Sequence, residues 1–195
     1  NVAGTFITQL IVTDAVGLKD TATQTIFVVE ANVNQSLIRL CAPTNSTTIS
    51  AVDQAVTGVS SYWLSPSPTV VIANSLNDTT LVSNLAPGLN TIFWVVAYGS
   101  CTLADQVSIY VDTQINSNAG PDQQICSTPG TTNLAGNNPN PGTGIWTTTS
   151  SATITNPNNR NSGVTGLNVA GTYTFVWSIT NGACISRDTM VITVS

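Results

Sequence analysis

The chain repeats itself at the length of a small domain. Asn1-Val2-Ala3-Gly4-Thr5 returns unchanged as Asn168-Val169-Ala170-Gly171-Thr172, and a looser copy, Leu85-Ala86-Pro87-Gly88-Leu89-Asn90-Thr91, lies between them. A strand-like run follows each copy: Phe6 to Thr13, Ile92 to Ala97, and Tyr173 to Thr180. The second and third copies agree at further landmarks. Trp63 and Trp146, Trp94 and Trp177, and Cys101 and Cys184 are each 83 residues apart, and Cys41 and Cys126 are 85 apart. A period this long is one whole folding unit, so the chain reads as a tandem array. The expected boundaries are 1–32 for the closing hairpin of an incomplete module, 33–113 for a second module and 114–195 for a third. With no initiator Met, no signal peptide and no apolar run long enough to cross a membrane, the sequence reads as a piece of something longer or a processed chain.

The apolar pattern within each copy has period two. In Tyr173-Thr174-Phe175-Val176-Trp177-Ser178-Ile179 the odd positions carry Tyr, Phe, Trp and Ile, which a strand places on one face. The other face shows Thr, Val and Ser, as in a half-buried antiparallel strand. Asn181-Gly182 is a hairpin signal because both residues tolerate positive φ. The same hairpin is expected for Thr91–Ala97 with Asp105–Val111, and for Thr5–Thr13 with Asp20–Val29. Turn clusters such as Ser65-Pro66-Ser67-Pro68 and Pro139-Asn140-Pro141-Gly142 divide the rest into short segments. About seven short strands in some 80 residues is the pattern of an immunoglobulin-like sandwich. The expected fold is therefore all-β, a series of antiparallel β-sandwich modules, with Trp63, Trp94, Trp146 and Trp177 at the cores. Glu30–Gln35 and Asp112–Ala119 are too short to be free linkers, which implies modules in contact and a stiff rod.

Composition limits the functions open to such a chain. Charged residues make up 7% of it, against about 25% in an ordinary soluble domain. The net charge is −5, with Lys19, Arg39, Arg160 and Arg187 the basic residues. A phosphate backbone requires a basic stripe, so nucleic acid is excluded as a partner, and an anionic membrane surface is disfavoured. Four cysteines fall two per complete module at matching places, the arithmetic of one disulfide in each: Cys41–Cys101 and Cys126–Cys184. Zinc would want close Cys pairs or His, and the sequence has neither, so no metal and no cofactor is expected. Disulfides imply an oxidising compartment and hence an exported protein.

Certain residues resemble a known family. Asn118-Ala119-Gly120-Pro121-Asp122-Gln123-Gln124-Ile125-Cys126, Gly144-Ile145-Trp146, Val164-Thr165-Gly166-Leu167, Ala170 to Trp177 and Asn181-Gly182-Ala183-Cys184 are similar to the PKD-like and immunoglobulin-like repeats of large Bacteroidota surface proteins. These include giant adhesins associated with gliding motility and type IX secretion. Gly4-Thr5 followed by Leu10-Ile11-Val12-Thr13-Asp14 looks like the end of a PKD-like domain. The resemblance implies an extracellular, multi-domain protein of adhesive or stalk-like character.

Candidate sites are few. Without His there is no Ser-His-Asp or Cys-His set, and the nine carboxylates form no paired acid/base motif, so no catalytic residue is assigned and the chain is read as a non-enzyme. Asp14 and Asp20 flank one hairpin turn, yet no Asp-x-Asp-x-Asp run accompanies them, and a solvated turn is the reading. Asp20-Thr21-Ala22, Asp78-Thr79-Thr80 and Asp188-Thr189-Met190 resemble the Asp-Ser/Thr-apolar sequon of Bacteroidota O-glycosylation, which marks Thr21, Thr79 and Thr189. Phe93 and Val95 in the middle copy, with Ile7 and Ile11 in the first, are expected to face outward, either as ordinary surface or as a contact patch for a neighbouring module or chain.

The sequence thus suggests a structural or adhesive segment of a secreted surface protein or filament. Its expected partners are neighbouring modules or copies of itself, with surface glycans as a further possibility and no membrane insertion. One alternative is a filament subunit whose first module is completed by strand exchange with a neighbour. Another is a carbohydrate-binding accessory module using exposed Tyr62 or Tyr98.

Overall fold

The computed structural model describes residues 4–53 and 56–195; Asn1, Val2 and Ala3 of the repeated pentapeptide lie outside them. Among the described residues there is no helix. The strands are β1 (Gly4–Thr13), β2 (Lys19–Val28), β3 (Leu37–Cys41), β4 (Thr47–Ser50), β5 (Val59–Leu64), β6 (Val71–Ile72), β7 (Thr79–Ser83), β8 (Gly88–Tyr98), β9 (Cys101–Asp112), β10 (Gln123–Ile125), β11 (Thr132–Asn133), β12 (Thr143–Thr148), β13 (Thr153–Ile154), β14 (Gly163–Thr165), β15 (Gly171–Asn181) and β16 (Cys184–Val194). They fall into two compact units: Asn1–Ile38 with Asn45–Tyr110, and Arg39–Thr44 with Val111–Ser195.

The second unit has a four-stranded sheet, β10-β16-β15-β12, and a three-stranded sheet, β11-β14-β13. Tyr173, Phe175, Trp177 and Ile179 of β15 are buried, as are Met190, Ile192 and Val194 of β16. They pack with Leu134, Trp146, Val164 and Leu167 in one cluster. Trp146 and Trp177 sit opposite each other on β12 and β15, with ring centroids 5.0 Å apart. Each indole N–H is satisfied: Trp146 Nε1 donates to Arg160 O at 3.0 Å, and Trp177 Nε1 to Asn137 Oδ1 at 3.1 Å. The β10–β16 ladder is parallel, pairing Gln123 with Ile192 and Ile125 with Val194. An opening strand that returns beside the last strand can run with it, because the intervening chain is long enough for the crossover.

The first unit repeats this plan. Its sheets are β3-β9-β8-β5 and β4-β7-β6, and its core includes Ile49, Trp63, Val82, Ile92, Trp94 and Ile109. Trp63 pairs with Trp94 in register, ring centroids 4.9 Å apart. Trp63 Nε1 donates to Asn77 O at 3.0 Å. Trp94 Nε1 finds no partner among the described residues. Val95, expected to face outward, is only 6% exposed. Its strand is a central one, flanked by β9 and β5, with Tyr62 its cross-strand partner on β5. Phe93 is half-buried.

Close packing of Trp177 depends on a glycine. A Cβ on Gly144 would collide with Cζ2 and Cη2 of the Trp177 ring, and one on Gly136 would stand 2.9 Å from Cε2. Gly144→Ala forces the ring off its position, and the expected cost is about 1–3 kcal/mol. The check is a lower urea midpoint with the secondary structure retained.

Candidate interaction site

The β1–β2 hairpin differs from the rest of the first unit. It forms a two-stranded sheet of its own, with Gly4 opposite Val28 and Thr13 opposite Lys19. Its register matches that of β15–β16, where Gly171 is opposite Val194. Phe6, Leu10, Val12 and Ile26 therefore stand where Tyr173, Trp177, Ile179 and Ile192 stand in the second unit. The latter four are buried, whereas Leu10 is 64% exposed and Phe6, Val12 and Ile26 are exposed as well. Ile7 and Ile11, on the opposite face, are exposed too. A shallow groove runs over Thr8, Leu10, Ala22 and Gln24. One local anchor is Phe27, whose ring lies 5.7 Å from that of Tyr98.

Asp14 at the hairpin tip is a turn-forming residue. Its Oδ1 accepts the N–H groups of Val16 and Leu18 at 2.9 and 2.8 Å, while Asp20 Oδ1 accepts the N–H of Thr21 at 2.9 Å. Among the described residues no group of three or more potential ligands is placed to hold a metal ion. Thr21, Thr79 and Thr189 are all exposed. Asp20 pairs with Val12 and Asp188 with Trp177, so the two aspartates share a face but stand one pleat apart rather than at equivalent places. Asp188 also has a structural task, since its Oδ2 accepts the N–H of Ala119 at 2.8 Å. Asp105 does the same for Val33 at 2.8 Å. In both cases a carboxylate on the last strand pins the start of its sandwich.

The cysteine pairing corrects the expectation. Cys41 is bonded to Cys184, with Cα atoms 4.9 Å apart and 143 residues between them in sequence. Cys101 and Cys126 are exposed free thiols, so neither Cys41–Cys101 nor Cys126–Cys184 forms. Both bonded residues belong to the second unit, and Asp112 explains why they meet. Its backbone carbonyl accepts the N–H of Ala42 at 3.0 Å and lies 3.3 Å from Cys184 Sγ. Its carboxylate accepts the N–H of Ala183 at 2.8 Å and pairs with Arg39 Nη1 at 2.8 Å. The β15–β16 turn completes the contact. Asn181 is the last residue of β15, opposite Cys184, and Gly182-Ala183 form the loop, with Gly182 at φ +57°. The positive φ brings that backbone against the Asp112 carboxylate, where a Cβ would collide.

Exposed aromatic side chains do not line up. Tyr62 is 37% exposed on β5, Tyr98 packs on Phe27, and Phe6 and Phe27 occupy opposite faces of the hairpin. No helix among the described residues is long and apolar enough to cross a membrane, which says nothing of spanning strands.

No family model and no curated protein matches this chain. Solved structures do. Extracellular domains 3–5 of Drosophila OTK align over 99% of this chain and 71% of their own, at 12% identity and a TM-score of 0.59. Immunoglobulin domains 1–5 of Sidekick-1 align over 99% of this chain and 46% of their own, at 12% identity and a TM-score of 0.53. Domains 1–4 of Sidekick-1 align over 99% and 58%, at 13% identity and a TM-score of 0.50. At these identities the likeness speaks for the fold: an all-β series of immunoglobulin-like sandwiches.

Proposed function

We propose that the chain is a non-enzymatic structural and adhesive segment of a secreted cell-surface protein, of the kind built from PKD-like and immunoglobulin-like repeats in large Bacteroidota adhesins. The observation that carries this reading is the repetition itself. Two Trp-paired sandwiches recur in the same register, and a third hairpin in that register precedes them. In this reading residues 1–32 close a PKD-like module, and 33–113 and 114–195 are immunoglobulin-like modules. Hydroxyl-rich outer faces with few charges suit a surface carrying glycans on Thr21, Thr79 and Thr189. The partners are neighbouring modules, other copies of the chain, and surface glycans.

A second reading is favoured by the bare apolar face of the β1–β2 hairpin. Unpaired strand edges invite pairing with another chain. Strands supplied by a neighbouring subunit would cover that face and build a filament.

The denatured mass of the native polypeptide, before and after reduction, tests both readings. A mass far above 20.2 kDa is the expected result for one stretch of a long adhesin. A mass near 20.2 kDa would overturn that and leave the strand-exchanged filament. Peptide spectra are expected to show sugar on the three threonines, and three bare threonines would end the glycan assignment.

A further inference from the structure

The closing strand of each complete sandwich has a second neighbour. β9 lies between β8 and β3, and β16 lies between β15 and β10. Both of those neighbours are opening strands that lead into a cysteine: Leu40-Cys41 at the end of β3, and Ile125-Cys126 at the end of β10. β2 is a closing strand in the same register, yet among the described residues its other edge carries no strand. We propose that this edge and the Cys101 thiol form one docking site, which takes a strand running parallel to β2 and ending in a cysteine that bonds Cys101. The occupant is the opening strand of the module that residues 1–32 close, in the same polypeptide, so the inference rests on the adhesin reading.

The direction and end point of that strand follow from the other two. β10 runs parallel to β16 with Ile125 opposite Val194, and the N–H of Ser127 donates to Ser195 O at 3.1 Å. Beside β9, the N–H of Ser108 donates to Ser36 O at 2.9 Å and that of Ala42 to Asp112 O at 3.0 Å, so β3 runs with its neighbour as well. Gly4 is opposite Val28 as Gly171 is opposite Val194, which puts Val28 where Val194 stands. A strand in the same setting brings its cysteine level with Val29. The apolar residue before that cysteine then lies on the bare face with Phe6 and Ile26, as Ile125 packs against the core of the second unit.

Cys101 stands where such a cysteine arrives. Cys184 reaches Cys41 because its turn lies at the end of β9, with Asn181 Nδ2 donating to Thr113 O at 2.8 Å. Tyr98, 83 residues before Asn181, holds the same place at the end of β2, its ring 5.7 Å from that of Phe27. The chain leaving each closing strand is pinned alike, Ala119 N–H to Asp188 and Val33 N–H to Asp105, both at 2.8 Å. Gly99 has φ +58° and Gly182 φ +57°, so the turns before the two cysteines share one conformation. The linker is shorter after β2, residues 29–32 against 112–118, and the Phe27–Tyr98 contact shows that the strand end still reaches the turn. Val29 replaces Asp112 there, and nothing lies within 4 Å of a Cβ on Gly99, which leaves Cys101 exposed and open to attack.

Forming the bond removes two protons and two electrons from the two thiols. The acceptor is the disulfide of a small thiol such as oxidised glutathione. One cysteine thiolate attacks it, giving a mixed disulfide and one reduced thiol. The other cysteine then attacks the mixed disulfide, forms the protein bond and releases the second reduced thiol.

The probe is a synthetic peptide with the sequence of residues 35–43, its cysteine carried as a mixed disulfide with a small thiol, added to the purified chain. Attack by the Cys101 thiolate transfers the peptide and releases the small thiol, so no further oxidant is needed. Cys126 is the control, since it is also a free exposed thiol but its own strand is already paired. Docking makes the exchange nearly intramolecular, so peptide mass mapping is expected to place the probe on Cys101 roughly tenfold or more above Cys126. A peptide of the same composition in scrambled order is expected to lose that preference. Equal labelling of the two cysteines, or labelling indifferent to peptide order, would show ordinary surface thiols and overturn the proposal. In the native polypeptide, alkylated and digested without reduction, Cys101 is expected to be bonded to a cysteine upstream of β1, and a free Cys101 there would overturn the proposal too. An intact mass near 20.2 kDa would end the adhesin reading and this occupant with it, whereas the peptide result reports on the site by itself.

Discussion

Truncating Trp177 to alanine is expected to lower the unfolding free energy of the second unit by roughly 3–5 kcal/mol. The ring is fully buried, faces Trp146 at 5.0 Å and rests against Gly136 and Gly144. These neighbours belong to strand β12 and to the loop before it, which the fold holds in place, so the cavity cannot close around a methyl group. The indole N–H is also lost to Asn137, whose Oδ1 is left with the N–H of Asn118 at 2.9 Å. Trp94 offers an internal control. It is equally buried, but its Nε1 has no partner among the described residues. An unsatisfied buried donor carries a penalty of about 1–3 kcal/mol. Trp94→Phe removes that penalty, whereas Trp177→Phe breaks a hydrogen bond. Trp177→Phe is thus expected to be the more destabilising by at least ~1 kcal/mol. Urea unfolding of the two variants followed by far-ultraviolet circular dichroism checks this, and equal midpoints would contradict it.

Reduction is expected to change the response to tension more than any point substitution does. Pulled from its ends, the oxidised chain transmits force through the Cys41–Cys184 bond, and the 143-residue separation between them is bypassed. An extended residue spans ~3.3–3.6 Å, so roughly 500 Å of contour length stays locked until the bond is reduced. The alternative pairing, Cys41–Cys101 with Cys126–Cys184, would lock two shorter loops totalling roughly 400 Å. Force spectroscopy with and without reductant separates the two values. Full extension without reductant would show that the bond does not form. The same cross-link restricts the unfolded chain, and its loss is expected to lower stability by about 2–5 kcal/mol. A segment that works under load gains from this arrangement, since both Trp-paired cores lie almost wholly within the bypassed stretch.

The hairpins and the Trp pairs were legible because each is written locally. Alternation along Tyr173–Ile179 places four side chains on one face whatever surrounds them, and that face is buried. Spacing between copies then carries the same placement from β15 to β8 and β1. The outward side of β8 was less legible. Alternation separates the two faces of a strand, but whether the second face is covered depends on its surroundings in the fold.

By itself, then, the sequence determined the all-β class and the side of β8 and β15 that meets a core. Short-range periodicity and self-similarity suffice for those. Tertiary structure alone decided the parallel β10–β16 ladder, the bare hairpin face and the choice of Cys184 as the partner of Cys41. Four cysteines at matched places allow three pairings, and module-by-module counting selects the wrong one. A thiol bonds the thiol that the fold brings within reach. Here the Asp112 carbonyl and carboxylate gather Ala42, Ala183 and Arg39 around one point, and that convergence spans residues too far apart in the chain for any local pattern to record.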